Sequence, residues 1–114
     1  MATFDAGVHV EAFENMEKGT KTVYAVPATL EYSMICSGDR LEFGSLGSIT
    51  IGMVRRYPNL EELCEAEGWS NLVPEVADQE AAIVAVRGIV EWDDKVEADC
   101  GVLSLRVREV RRKL

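Results

Sequence analysis

The run Gly101–Val110 constrains the fold more than any other stretch of the chain. Along it Leu103, Leu105 and Val107 alternate with Ser104, Arg106 and Arg108. Successive side chains of an extended segment point to opposite faces. The pattern therefore predicts a strand with its leucines and Val107 on a core and its serine and arginines facing out. The run lies far in sequence from the other β-favouring segments, so the chain must bring it back to close a sheet or a small barrel.

Those other segments come early. Lys21–Val26 alternates hydroxyl-bearing and apolar side chains, and Pro27 ends it or marks an edge. Leu41 and Phe43 point one way while Arg40 and Glu42 point the other. After the Gly44–Ser48 turn, Ile49, Ile51 and Met53 form one face of the next strand, with Thr50 and Val54 on the other. Together these two runs make the strongest hairpin signal. Val8-His9-Val10 alternates too and predicts a short first strand, and Ala28–Cys36 reads as an irregular connection.

Helical signals separate the strands. Ala12, Phe13 and Met16 share a face over Glu11–Lys18, and Gly19 stands where a left-handed C′ residue belongs. Asn59 can cap a helix with Glu62 three residues on, in a capping-box-like pair, and Leu60, Leu63 and Cys64 form its apolar stripe. Gly68 closes that helix, and Trp69 packs back on the core. Asp78 opens another helix, with Ala82, Val86 and Ile89 on one face. Asp93–Asp99 reads as a polar loop. The order predicts one α+β domain over residues 1–114, with a curved or closed, mainly antiparallel sheet and flanking helices.

Composition narrows the function classes. At 114 residues and 47% hydrophobic content the chain supports one core without disulfides or metal. It holds no apolar run long enough to cross a bilayer and does not open like a signal peptide. Cys36, Cys64 and Cys100 are odd in number and widely spaced, as expected of reduced thiols in a cytoplasmic protein. The net charge of −8 argues against a general nucleic-acid coat. Yet Arg106, Arg108, Arg111, Arg112 and Lys113, five of the twelve basic residues, crowd the last nine positions. They read either as a solvated final strand with a frayed tail or as a local basic surface on an acidic body.

The order Lys18-Gly19-Thr20-Lys21-Thr22 after a helix, Ser37-Gly38-Asp39-Arg40-Leu41-Glu42-Phe43, Val54-Arg55-Arg56-Tyr57, the helix Asn59–Glu67 and the final Gly101–Leu105 resembles the ASCH domains of the PUA-like superfamily. The likeness runs from about Glu11 to Val110. It implies a small, mainly antiparallel PUA-like β-barrel with flanking helices, and a cleft for RNA or a modified nucleoside, with no cofactor and no metal. The family pattern looks like Gly-x-Lys-x-x-Glu-x-Arg. Gly19 and Lys21 match it, whereas Tyr24 and Val26 replace its glutamate and arginine. Members that hydrolyse N4-acetylcytidine carry a threonine at the Tyr24 position and use a later glutamate.

The resemblance puts Lys21 at the mouth of the cleft. Tyr24 reads as a stacking surface for a base or as simple packing at the barrel rim, and Arg55 and Arg56 as phosphate contacts or as a strand end with one side chain solvated and the other along the sheet. In a hydrolase reading Lys21 activates a hydroxyl or water, Thr22 offers a hydroxyl, and Glu75, with Glu80 behind it, shuttles protons. A lysine can equally bind phosphate as a point charge, or stand as an ordinary strand-start residue. His9, the lone histidine, reads as structural, and Trp69 and Trp92 as core or cover. A protein-interaction role for the acidic helices is the remaining class. The ligand and the oligomeric state are not legible in the sequence.

Overall fold

The computed structural model describes residues 1–113. The strands are β1 (Thr3–Asp5), β2 (Val23–Pro27), β3 (Arg40–Glu42), β4 (Gly47–Tyr57) and β5 (Val102–Arg112). The helices are α1 (Val10–Lys18), α2 (Leu60–Glu67), α3 (Trp69–Leu72), α4 (Gln79–Arg87) and α5 (Asp94–Cys100). The strands form one five-stranded sheet in the order β1-β3-β4-β5-β2. It is antiparallel except where β1 runs parallel to β3. This is an α+β fold whose sheet curls into a half-barrel with helices beside it.

As its alternation requires, β5 returns from the end of the chain, but it enters the interior of the sheet. It pairs with β4 on one side and β2 on the other, so it joins the β3–β4 hairpin to the β2 edge. The β4–β5 ladder shifts register between Thr50 and Ile51 and again between Ile51 and Val54. Bulges of this kind bend a strand and increase its twist, which helps the long pair to curl.

Those bulges overturn part of the expected facing in β4. Gly52 and Met53 together oppose the single Arg106, and this one extra residue breaks strict alternation, so Met53 is exposed and Val54 packs against the core. Val8-His9-Val10 is not a strand: β1 lies earlier, and His9 precedes the first turn of α1. Asp93–Asp99 is not a loop. The Asp93 carboxylate accepts from the amides of Lys95 and Val96 and starts α5.

A core packs on each face of the sheet. Phe13 and Met16 of α1 pack on the inner face with Tyr24, Val26, Leu41, Phe43, Ile49, Ile51, Leu103 and Leu105. On the outer face Leu60, Leu63 and Cys64 of α2 join Leu72, Ala82 and Val86 over Val23, Ala25 and Val102. β2 feeds both layers by alternation. Ser104, expected to face water, lies under α2 and donates to Glu67 at 3.0 Å. Asn59 caps α2 through the Glu62 amide at 2.9 Å, and Asp78 caps α4 through the Ala81 amide at 2.9 Å, as the sequence predicts.

A charged clasp fixes α4 against its neighbours. Arg87 donates to both oxygens of Glu61 at 2.9 Å and to Glu97 at 2.6 and 3.0 Å. Glu97, only 5% exposed, also accepts from the Leu60 amide at 2.9 Å and from the Trp92 indole at 3.2 Å. Burial works to raise the Glu97 pKa, but the Arg87, Leu60 and Trp92 donors outweigh it and hold the carboxyl below its ordinary value. Through this clasp α4 becomes a fixed wall.

Candidate functional site

The cleft forms where α1, the edge strand β2, α3 and α4 meet. Gly19 ends α1 with φ of 82°, a left-handed backbone that glycine adopts without strain. The amides of Thr20 and Lys21 both bond to the Asn15 carbonyl at 3.1 Å, which tucks the next residues beneath the helix end. This wrap turns Lys21 inward just before β2 begins.

Lys21 is consequently buried, at 6% exposure. Its Nζ donates to the carbonyl oxygen of Leu72. That carbonyl is free because α3 is short and Pro74 follows closely: a helix leaves its last carbonyls unpaired, and a proline biases the preceding residue away from helical geometry. Lys21 thus caps the C-terminal end of α3. Desolvation lowers its pKa to about 7, against an opposing pull from Glu75. Near neutrality the amine is therefore divided between charged and neutral forms, the condition in which a lysine can act as a base or nucleophile.

Tyr24 stands beside it, with Lys21 Nζ 5.3 Å from the ring centroid. The ring meets Phe43 edge-on, centroids 5.1 Å apart and planes at 84°, which locks its orientation. Burial pushes the phenol pKa well up, so its hydroxyl stays protonated. His9 donates from Nε2 to the Ala6 carbonyl at 2.7 Å and lies 3.4 Å from Glu91.

The mouth is acidic. Glu75 leaves the loop after α3 and accepts from Asn15 Nδ2 at 3.2 Å. Glu11, in the first turn of α1, sits close enough that hydrogen bonding to Glu75 and the like charge of that carboxylate raise its pKa. The cleft, open to solvent on one side, has a volume of about 290 Å³ and is walled by Val10, Ala12, Leu72, Val73, Ala85, Val86 and Ile89, with Lys21, Tyr24, Glu11, Glu75 and His9 as its polar groups. A polar triangle in an apolar cleft can orient a small planar ligand and exchange protons with it.

Of the residues expected from sequence, Lys21, Tyr24 and Glu75 therefore converge. Thr22 does not line the cleft; its amide bonds to the Asn71 carbonyl at 3.0 Å. Arg55 lies elsewhere, on the outer sheet face beside Met53, Glu67, Ser104 and Arg106. Glu80 is exposed in the first turn of α4 and is not among the lining residues. Trp69 and Trp92 pack on the outer core, as expected of cover residues. Glu11 and the Leu72 carbonyl escaped the sequence reading. An acid in a first helical turn reads as a partner of the helix dipole, and a free carbonyl leaves no sequence mark except the proline that follows it. Among the described residues no cluster of three or more His, Cys, Asp or Glu could hold a metal ion, and no helix is long and apolar enough to cross a membrane.

No protein-family model matches this chain, and no curated protein matches it. Solved structures share its fold, among them the two that follow. The crystal structure of hypothetical protein PH0355 superposes with a TM-score of 0.82 at 23% identity, covering 96% of this chain and 98% of that one. The solution NMR structure of protein PF0455 from Pyrococcus furiosus gives a TM-score of 0.73 at 24% identity, with 96% of each chain covered. Over nearly its whole length the chain is similar in fold to these two proteins, with the same curled half-barrel sheet.

Proposed function

We propose that this chain is an ASCH-like, PUA-like domain whose cleft binds a nucleobase, as a modified nucleoside or as an unpaired residue of RNA. The observation that carries the reading is the convergence of Lys21, Tyr24 and Glu75 on one apolar-walled cleft. Its volume of about 290 Å³ suits a base with part of its sugar and lies at the small end of ligand pockets. The fixed Tyr24 ring offers a wall for a flat ring. Its hydroxyl and the Lys21 amine face base oxygens, and the Glu75 carboxylate faces an exocyclic amine.

The rim favours a ligand with no phosphate at the contact, because Glu11 and Glu75 would repel one. Titration calorimetry with cytidine, uridine, N4-acetylcytidine and their 5′-monophosphates tests the reading. Saturable nucleoside binding, weaker for the monophosphates and lost in Lys21→Met, is the expected result. Absence of binding by every nucleoside, or binding indifferent to Lys21→Met, rejects it.

A second reading, deacylation of N4-acetylcytidine, is favoured by one observation: a buried Lys21 with a pKa of about 7 opposite a pair of interacting carboxyls. The neutral Nζ would take a proton from a water as its oxygen adds to the amide carbon. The Glu11–Glu75 pair would protonate the departing nitrogen, giving acetate and cytidine. Chromatography of the products decides it. Turnover lost in both Lys21→Met and Glu75→Gln is expected, and no cytidine released by the wild-type protein would falsify it.

A further inference from the structure

The arginines near the end of the chain divide into two groups. Arg111 is paired with Glu109 at 2.8 Å and Arg112 with Glu17 at 2.8 Å. Arg106 and Arg108, on the same strand, form no ion pair among the described residues, and neither does Arg55 on β4. All three are exposed. Arg108 donates to the Ser37 hydroxyl at 2.9 Å and Arg55 Nε to Met53 Sδ at 3.0 Å, neutral partners that leave these charges without a carboxylate on one face of a chain of net charge −8.

The three share one face. Arg55 lies opposite Ser104 in the β4–β5 register, so it stands on the same face as Ser104, Arg106 and Arg108. Helix α2 covers this outer face at Ser104, and the strand emerges from beneath it at Arg106. On β5, Arg106 and Arg108 stand two residues apart, at most about 7 Å along an extended strand, with the Thr50/Ile51 register shift falling at Arg108. That spacing is comparable to the separation of successive phosphates along one extended nucleic-acid strand. Met53, turned outward by the bulge and 52% exposed, places an apolar surface beside Arg55 where a base can rest. Glu67 borders the row, but its Oε2 already accepts from Tyr57 at 2.6 Å and Ser104 at 3.0 Å. Acids farther away are screened within about 10 Å at ordinary ionic strength.

We infer that the outer face of β4–β5 is a docking strip for the phosphate backbone of a single nucleic-acid strand, with Arg55, Arg106 and Arg108 each contacting a phosphate. The strip is separate from the Lys21 cleft, and its case is independent of what the cleft binds. Its arginines contact phosphate and Met53 offers only an apolar surface, so nothing in the strip reads the sugar and it does not distinguish RNA from DNA.

The test is fluorescence anisotropy of a labelled uridine 15-mer RNA and a thymidine 15-mer DNA between 20 and 300 mM NaCl. Three phosphate contacts on a single strand predict a slope of about −2 in log K against log salt. The Arg55→Gln/Arg106→Gln/Arg108→Gln variant should bind at least about tenfold more weakly at low salt, with its slope flattened toward zero. DNA should follow the RNA curve. Thermal unfolding checks that the triple variant folds, and the single charge reversal Arg106→Glu gives a second test on a smaller change. The inference is overturned by either of two results: no salt-dependent binding by the wild type, or a triple variant that binds like it. Binding of RNA without DNA overturns it as well.

Discussion

Lys21 and Arg87 are cations held in the same small fold, and the chain treats them in opposite ways. Arg87 is chelated by Glu61 and Glu97, and these partners drive its pKa further up. Lys21 is the more deeply buried, yet its hydrogen-bond partner is a neutral backbone carbonyl. Glu75 pulls weakly in its favour while desolvation dominates and brings the amine to about 7. A buried charge matched by carboxylates is a structural tie. One matched by a single dipole is kept at the edge of losing its proton, at a cost in stability, and such groups concentrate at functional sites.

The largest expected effect comes from breaking the clasp on one side. Arg87→Met leaves the Glu97 carboxylate buried without its cation and should cost about 3 kcal/mol in urea unfolding. The double variant Arg87→Met/Glu97→Leu should recover most of that loss, since replacing both partners removes the stranded charge. A double variant no better than the single one would show that a stranded Glu97 charge is not the source of the loss.

Lys21→Met should act in the other direction. The folded pKa of Lys21 is depressed from 10.5 to about 7, so between those values the unfolded chain binds the extra proton and stability rises with pH. Below pH 7 the native state carries the full desolvation penalty. The methionine variant should therefore be more stable than the wild type by about 1–3 kcal/mol near pH 6, net of the lost bond to Leu72, with the gain fading toward pH 10. Parallel unfolding curves at pH 6, 8 and 10 test this. A gain that is flat with pH contradicts a neutralised lysine.

Smaller effects refine the contrast. Glu75→Gln removes the carboxylate that raises the Glu11 pKa and supports the Lys21 charge. Both pKa values should fall, and carbon-detected NMR titration of the Glu11 carboxyl reads the first directly. Trp92→Phe removes one donor from Glu97 and should cost about 1 kcal/mol, the net worth of a typical hydrogen bond. That loss should vanish in the Glu97→Leu background if Glu97 is its route.

Much of this was legible in residue order. The alternation of Gly101–Val110, the Asn59 and Asp78 caps and the Gly19 helix end all appear where local chemistry puts them. Lys21 and Tyr24 lie within one short segment, so their proximity was readable, and Glu75 was reached through the resemblance. Arg55 shows the limit. It shares the sheet with Tyr24 but lies across β5 from it, and no linear motif states on which face of a curled sheet a side chain emerges. Asp93–Asp99 shows another. Its polar residues lack an apolar stripe, and α5 is held by Glu97 reaching Arg87, Leu60 and Trp92, partners that only folding assembles.

The sequence by itself determined the alternation of strands and helices, the capped ends, and the turn at Gly19 that swings Lys21 toward the start of β2. These depend on interactions a few residues in range: pleat, cap and left-handed glycine. Tertiary structure alone decided the rest. It inserted β5 between β4 and β2, turned Met53 out and Val54 in through the bulges, and laid Ser104 under α2. It also set the Leu72 carbonyl against the Lys21 amine and brought Glu11 to Glu75. Desolvation and like-charge repulsion act through space, so the chemical character of Lys21 came into being only when distant segments closed around it.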